Sequence, residues 1–229
     1  MLLKKNKEKI DAEFQKISYS QSGEDLIVKF IFDAININLP TYIDIGAHHP
    51  FYINNTALFY SLGCTGINVE PNPQFHQLLK DHRPKDINLN IGITEHTSIA
   101  DFYIINAPTL STFSLDDADK YKSEGNYFIE KTIKINTDKI SNILNKYAGG
   151  KFPHFLNIDA EGIDDIIVKS IDFKNNFPIV ICIETISFSN NGHGIKNNTL
   201  INTIVDNGYI VYADTYINTI FVKKEFWVR

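Results

Sequence analysis

Short runs of apolar, β-favouring residues alternate along the chain with segments that have the apolar spacing of helices. Because parallel strands are joined through crossover helices, this alternation predicts an α/β fold with a mostly parallel sheet. The run Pro178–Glu184 is apolar up to its last residue, which is typical of a central strand covered on both faces. The predicted strands are Thr41–Ile45, Gly66–Glu70, Ile87–Ile91, Phe155–Asp159, Pro178–Glu184, Gly208–Ala213 and Ile217–Lys223.

The alternation is interrupted after the third predicted strand. Two strands, Ile99–Ile105 and Phe128–Ile135, flank a polar helix near Asp116–Glu124, and this stretch is too long for an ordinary connection. We expect a single domain over residues 1–229, with a substrate-side insertion at 93–135 and an N-terminal helical segment at 1–36. The other predicted helices are Asn6–Ile17, Gly23–Ile35, Asn55–Leu62, Pro71–His82, Ser141–Tyr147, Asp164–Ser170 and Thr199–Asn207.

Composition excludes several classes of function. The 22 Lys and Arg residues against 27 Asp and Glu residues leave a net charge of −5, which argues against a nucleic-acid partner. Two cysteines, Cys64 and Cys182, are too few for a disulfide framework. No run approaches the ~18–20 apolar residues of a membrane span, and Met1–Ile10 lacks a signal-peptide pattern. We expect a cytoplasmic protein, with its oligomeric state left open.

Polar residues close the first two predicted strands, at the end of the sheet where open parallel sheets bind ligands. Asp44 precedes Gly46 and Ala47, whose small size lets the backbone approach a ligand closely. Glu70 closes the second strand, and a carboxylate in that place can accept both hydroxyl groups of a ribose. In this order, the residues predict a ligand that contains a nucleoside.

The same turn discriminates between nucleoside cofactors. A dinucleotide needs the pattern G-x-G-x-x-G, so that its pyrophosphate rests on a helix N-terminus. Only Gly46 is present, His48 and Pro50 stand where further glycines are expected, and Asp44 would repel a diphosphate. S-adenosylmethionine carries a sulfonium and an ammonium group, which suit the charge of Asp44, so it is the predicted cofactor.

Five segments carry a family resemblance: Tyr19–Asp25, Tyr42–Pro50, Asn54–Thr56, Gly66–Pro73 and Leu156–Gly162. They resemble the FkbM family of S-adenosylmethionine-dependent methyltransferases, and the match runs with gaps from about Tyr19 to Val222. The resemblance implies a Rossmann-like class I methyltransferase, with a seven-stranded, mostly parallel sheet and a reversed C-terminal edge pair, to which the chain adds its predicted insertion after the third strand. It also implies O-methylation, commonly of sugar hydroxyls.

The resemblance implies roles for individual residues. The implied cofactor-binding residues are Gln21, Glu24 and Asp25 over the cofactor, Asp44, Gly46 and Ala47 at its methionine part, His48, Asn55 and Thr56 nearby, Glu70 at the ribose and Asn72 at the adenine edge. Glu24 and Asp25 have an alternative role, because acidic residues are favourable in the first turn of a helix and Ser22 can cap that helix. Asn55 or Thr56 can likewise cap the next helix. The family often has asparagine where this chain has His48.

Methyl transfer to a hydroxyl group needs a base, or a metal that lowers the pKa of the hydroxyl. Asp159 and Glu161 follow one strand, and Glu184 ends the adjacent one, so all three are acidic candidates at the same sheet edge. Asp159 and Glu184 together suit Mg²⁺ or a similar hard cation. His193, in the loop Ser187–Ile195, is a further candidate base. Catalysis without a metal and simple helix capping remain alternatives.

The sequence thus predicts an S-adenosylmethionine-dependent O-methyltransferase that acts on a saccharide or a sugar-containing small molecule. Two alternatives are an NAD-type oxidoreductase on a similar sheet and a cofactor-binding module without catalysis. In the insertion, aromatic residues beside the hydroxyl groups of Ser111 and Thr112 suit sugar binding, or else form the insertion's own small core.

Overall fold

The computed structural model describes residues 14–160, 162–188 and 193–227. Its strands are β1 (Tyr42–Ile45), β2 (Gly66–Val69), β3 (Ile87–Leu89), β4 (Gly92–Ile93), β5 (Ser98–Ile105), β6 (Ile129–Asp138), β7 (Phe155–Ile158), β8 (Val180–Glu184), β9 (Tyr209–Asp214) and β10 (Asn218–Lys223). Its α-helices are α1 (Glu24–Ala34), α2 (Ala57–Ser61), α3 (Pro73–His82), α4 (Leu115–Glu124), α5 (Ile140–Tyr147), α6 (Asp164–Lys169), α7 (Asn198–Asp206) and α8 (Lys224–Trp227). The predicted elements after Gly23 are confirmed, with ends shifted by a few residues.

Seven strands form the main sheet, in the order β3-β2-β1-β7-β8-β10-β9. The first five pair in parallel, whereas β10 runs antiparallel to both of its neighbours, β8 and β9. The predicted seven-stranded sheet with a reversed C-terminal pair is therefore confirmed, and the strand that reverses is β10. Because the chain moves outward from β1 in one direction and from β7 in the other, a crevice is expected where these two strands end.

Alternating side chains of the sheet face two different helical layers. On one face, Ile43 and Ile45 of β1 join an apolar core that is covered by α5, α6 and α7. On the other face, Tyr42 of β1 packs in a second core with Phe32 of α1 and Phe59 of α2. The period of two along a strand thus produces two cores from one short segment, which makes the sheet the middle of three layers.

The insertion forms a second sheet of three strands, in the order β4-β6-β5. Strands β5 and β6 are antiparallel, and α4 lies between them in sequence. The side chain of Ser114 caps α4 by accepting the N–H of Asp117 at 3.1 Å. A small core of Ile105, Leu110, Ala118 and Tyr121 fills the space under this sheet. The sequence predicted both strands and the helix, and part of the insertion's apolar surface does form its own core.

The N-terminal helices were predicted less completely. Helix α1 is found where it was expected, but its N-cap is Gly23 in a left-handed conformation and not Ser22. Residues 6–13 of the predicted helix Asn6–Ile17 lie outside the described residues, and its remaining residues, 14–17, are not helical. Among the helices of the described chain, none is both long and apolar enough to cross a bilayer.

Candidate functional site

A pocket of about 710 Å³ opens where β1, β2 and β7 end. This is the crevice expected at the point where the strand order reverses. Asp159, directly after β7, forms one wall, and Phe102 and Phe113 of the insertion form another. The predicted cofactor-binding residues that line the pocket are Gly46, His48, Glu70 and Asn72.

The turn after β1 is built around Gly46. This residue has a φ of +81°, and a Cβ atom there would lie 1.9 Å from the backbone oxygen of Asp159. The N–H groups of Gly46 and Ala47 both donate to the carbonyl oxygen of Val69, at 3.0 and 3.2 Å. The backbone therefore passes between β2 and β7 with no room for a side chain, as expected from the small residues at this position.

Glu70 presents a fixed carboxylate to the pocket. Its Oε2 accepts the N–H of His48 and its Oε1 accepts the N–H of Asn72, both at 2.7 Å. Burial raises the pKa of Glu70 to about 7, and the negative charges of Asp44 and Asp159 add to the rise, while the two hydrogen bonds oppose it. Each oxygen keeps a second lone pair, so the carboxylate can still accept the two hydroxyl groups of a ribose.

Asn72 has a structural role beside Glu70. Its side-chain oxygen caps α3 by accepting the N–H of Gln74 at 3.0 Å, and Pro73 occupies the first helical position. The group of Asn72 that can meet a ligand is therefore its side-chain NH₂.

His48 places an imidazole ring in the same pocket. Its backbone has a φ of +48°, a left-handed conformation that histidine and asparagine adopt more readily than most residues. The ring centroid lies 3.9 Å from that of Phe75, and Nε2 is buried without a hydrogen-bond partner among the described residues. Burial, with a contribution from His49, lowers the pKa of His48 to about 4. The ring is therefore neutral near pH 7, and the residue lines the pocket.

The insertion closes the pocket through Phe113. Its ring packs against that of Phe102, with centroids 4.8 Å apart, and lies directly over Gly92 of β4. A Cβ atom on Gly92 would lie 2.3 Å from Cζ of Phe113. The pocket wall therefore depends on a glycine that the sequence did not single out.

We expect Gly92→Ala to destabilise the fold by about 1–3 kcal/mol, because the added methyl group overpacks the contact with Phe113. Urea unfolding measures this change. The double variant Gly92→Ala/Phe113→Ala should lose less stability than the sum of the two single variants. Strictly additive losses would contradict the contact.

Asp44 lies below the pocket in a buried polar network. Its carboxylate accepts hydrogen bonds from Thr56 Oγ1 at 2.6 Å and from Asn157 Nδ2 at 2.8 Å. Asn55 donates to Asn157 at 2.9 Å. Burial raises the pKa of Asp44, although Thr56 and the nearby Arg83 oppose this. The structure therefore brings the predicted residues Asp44, Asn55 and Thr56 together, but under the pocket and not in its walls, and the side chain of Thr56 does not cap α2.

The acidic residues of α1 hold two loops. Glu24 accepts hydrogen bonds from Thr215 at 2.7 Å and Asn218 at 3.1 Å, at the turn between β9 and β10. Burial alone would raise the pKa of Glu24, but these bonds and that from the N–H of Ser22 bring it below its usual value. Asp25 accepts from the hydroxyl groups and backbone of residues 18–20. Gln21 is exposed on this segment.

A second, polar cleft of about 550 Å³ lies between α4 and the end of β8. Its walls include Asp117, Lys120 and Tyr121 of the insertion, with Asp164, Glu184 and Phe188. Glu184 is hydrogen-bonded to Asp159, which lines the first pocket. The two cavities therefore meet at this pair of carboxyl groups.

The surroundings of Asp159 favour its protonated form. Asp159 is exposed toward the pocket, but the neighbouring protein desolvates its carboxyl group, and this desolvation raises the pKa to about 7. The charges of Asp164 and Asp44 add to the rise, and the hydrogen bond with Glu184 opposes it. Burial likewise raises the pKa of Asp164 to about 6. Such a group can take up a proton near neutral pH, as a general base must.

The other catalytic candidates and the metal ligands are less defined. His193 is exposed, and Glu161 lies outside the described residues. No group of three or more His, Cys, Asp or Glu side chains in residues 14–160, 162–188 and 193–227 is arranged to hold a metal ion. The predicted metal site therefore consists of the pair Asp159 and Glu184 and stays a prediction.

Comparison with known families decides the class of this protein. The model of the FkbM methyltransferase domain matches residues 44–211. The chain belongs to the FkbM methyltransferase family. It is accordingly an S-adenosylmethionine-dependent methyltransferase, and the family prediction made from the sequence is confirmed.

Solved structures similar to this FkbM domain are distant. A TehB-like SAM-dependent methyltransferase from Corynebacterium glutamicum is 10% identical over 97% of this chain and 96% of its own, with a TM-score of 0.39. A precorrin-6y C5,15-methyltransferase from Geobacter metallireducens is 12% identical over 92% of this chain and 93% of its own, with a TM-score of 0.42. No curated protein matches the chain. Similarity at these levels carries no conclusion about the acceptor.

Sequence reasoning missed three residues that organise this FkbM site. Arg83 is fully buried and bonded to four side chains around Asp44, and Asn54 ties the loop after β1 together. Asn157 links β7 to Asp44. Asn54 belongs to one of the segments that resemble the family, so a signal was present, whereas an arginine just after a polar helix gives no sign of burial.

Proposed function

We propose that this protein is an S-adenosylmethionine-dependent O-methyltransferase whose acceptor is a hydroxyl group of a saccharide or a sugar-containing small molecule. The contact between Asp159 and Glu184, at the junction of the two cavities, carries the proposal. A base placed there can reach a hydroxyl group in the polar cleft while the methyl donor occupies the first pocket.

The charge of the first pocket supports S-adenosylmethionine as its ligand. The titratable side chains in its walls are the carboxyl groups of Glu70 and Asp159 and the neutral ring of His48. The ionised form of these carboxyl groups, which a nearby cation favours, attracts a ligand with positive charge and repels a diphosphate. Helix α2 begins only at Ala57, well after Gly46, so the helix that follows β1 does not place its N-terminus at the end of that strand to receive a pyrophosphate. Both features disfavour the NAD-type alternative.

The polar cleft supports a sugar-like acceptor. Its carboxyl groups and Lys120 can exchange hydrogen bonds with several hydroxyl groups, and the rings of Tyr121 and Phe188, with centroids 4.6 Å apart, add an apolar surface. A pyranose has both kinds of surface. Because α4 and β5 contribute to the two cavities, we also propose that residues 93–135 are a substrate-side insertion in a single domain.

The bound donor supplies an electrophilic methyl group on a good leaving group. Glu70 and His48 would hold the donor, and an acceptor hydroxyl group placed next to Asp159 would give its proton to the Asp159 carboxylate as its oxygen takes up the methyl group. While Asp159 is ionised, the proton of its hydrogen bond with Glu184 would be on Glu184, which would donate it and so orient Asp159. A divalent cation bound by this pair would lower the pKa of the acceptor instead, and His193 is an alternative base.

We also propose that the protein acts in the cytoplasm, which the two cysteines support. Cys64 and Cys182 are both unpaired and buried. Burial raises the pKa of each thiol, as expected for inert structural cysteines in a reducing compartment.

Calorimetry with S-adenosylmethionine and with NAD⁺, each with Mg²⁺ and with EDTA, tests the cofactor. We expect micromolar binding of S-adenosylmethionine and no binding of NAD⁺. Transfer of a labelled methyl group to a panel of sugars then tests the reaction. Tight binding of NAD⁺ would overturn the proposal, and donor binding without transfer to any hydroxyl compound would favour a binding module.

A further inference from the structure

The loop between β1 and α2, residues 46–54, has a strained backbone. Gly46, His48 and Ile53 have φ values of +81°, +48° and +49°. A left-handed conformation is unfavourable for any residue with a Cβ atom, and a β-branched residue such as Ile53 is a marked outlier there. All three residues line the pocket. Strain of this kind persists only when the surrounding structure holds it.

Asn54 bonds this loop to itself. Its Nδ2 donates to the carbonyl oxygen of Ala47 at 2.9 Å and to that of His49 at 3.2 Å. The two carbonyl groups flank His48, so the bonds fix the residue whose N–H donates to Glu70 and which lines the pocket. The side chain of Asn54 is itself buried, with 3% of its surface exposed.

A buried cation holds Asn54 in turn. Arg83 Nη1 donates to Asn54 Oδ1 at 3.2 Å, and the N–H of Thr56 donates to the same oxygen at 3.0 Å. The rest of the guanidinium group is bonded to Asp86, Tyr42 and Thr56, each at 2.9 Å. Arg83 is therefore anchored to β1 and to the residues before β3, and it transmits that fixed position to the loop.

We infer that Asn54 is a positioning residue for the cofactor-binding loop, and that Arg83 sets the position of Asn54. The inference rests on the proposed donor pocket. It explains how a strained loop keeps the His48 ring and the Glu70 carboxylate in place, although Asn54 and Arg83 do not line the pocket. Loss of Asn54 should weaken donor binding without impairing the methyl-transfer step.

The test compares Asn54→Ala with Asn176→Ala. Asn176 also binds loop backbone: its Nδ2 donates to the carbonyl oxygen of Gly150, and its Oδ1 accepts the N–H of Phe152. This loop lies before β7, at the end of that strand opposite the pocket, so Asn176→Ala is a matched control.

For Asn54→Ala we expect the KM for S-adenosylmethionine to rise about tenfold, which is the effect of losing two hydrogen bonds, and kcat to change less than about twofold. Amides 47–53 should exchange faster. Asn176→Ala should change neither quantity, and Arg83→Lys should shift the KM in the same direction by less.

Donor affinity in Asn54→Ala within about twofold of the unmodified protein, together with unchanged exchange of amides 47–53, would overturn the inference. A fall in kcat with an unchanged KM would also overturn it. If Asn54→Ala does not fold, Asn54→Ser serves as the second variant, because a serine side chain is too short to reach both carbonyl groups. Failure of the unmodified protein to bind S-adenosylmethionine would instead remove the proposed function, and amide exchange would still decide whether Asn54 holds the loop.

Discussion

Asp159→Asn is expected to lower kcat by about a thousandfold, while the affinity for S-adenosylmethionine changes less than about threefold. Asparagine keeps the shape and a hydrogen bond toward Glu184 but cannot accept the hydroxyl proton. Turnover is measured by transfer of a labelled methyl group, and donor affinity by calorimetry. Because the proposed contacts to the donor are made by other residues, the two quantities should separate.

The control for this variant is Asp165→Asn, on α6. The side chain of Asp165 is half-exposed, with 49% of its surface accessible, and pairs only with Lys169 across one helical turn among the described residues. Its replacement should leave kcat unchanged. Retained turnover in Asp159→Asn would remove Asp159 from the mechanism and direct attention to His193 or Glu161.

The pH dependence of the unmodified protein checks the same assignment. Asp159 must be deprotonated to act as a base, and its pKa is raised to about 7, chiefly by burial. The rate should therefore rise with pH through about 7 and be lost as the pH falls below it. The hydrogen-bonded pair with Glu184 titrates as a unit, so the profile belongs to both groups. In Asp159→Asn the residual rate should no longer show this rise.

Glu70→Gln is expected to weaken the binding of S-adenosylmethionine by about a hundredfold. Glutamine would place its NH₂ group opposite the N–H of His48 or of Asn72, so one of these two hydrogen bonds would be lost. It would also leave one oxygen fewer to accept the hydroxyl groups of the ribose. Hydrogen bonds to a charged group contribute about 1.5–3 kcal/mol each, and about 1.4 kcal/mol corresponds to a tenfold change in affinity. Calorimetry measures the loss.

A modified ligand separates the ribose contact from a general effect on the turn. The unmodified protein should bind S-adenosylhomocysteine more tightly than its 2′-deoxy analogue, whereas Glu70→Gln should bind the two more equally. Glu130→Gln, at an exposed strand position, is the matched control and should keep full affinity. An equal preference for the hydroxyl group in both proteins would show that Glu70 does not contact the ribose.

The role of Asp44 shows where sequence reasoning stopped. A strand followed by a small-residue turn predicted a carboxylate at the ligand site, and the strand and the turn are as predicted. The alternation of side chains, however, places the Asp44 side chain on a buried face of the sheet, where Thr56 before α2 and Asn157 of the neighbouring strand β7 donate hydrogen bonds to it. Glu70 comes after the last residue of β2, so strand alternation no longer directs it into a helical layer, and it reaches the pocket.

The sequence by itself determined the family, most strands and helices from Gly23 onward, and the position of Gly46 and Glu70 at the ends of the first two strands. These features depend on local patterns, such as periodicity, turn residues and the end of a strand. Only the tertiary structure decided that Arg83 and Asn54 hold the loop, that Phe113 of the insertion forms a wall of the pocket, and that Asp159 meets Glu184. Those contacts join residues far apart in the chain, so they depend on how the layers pack, which no local pattern encodes.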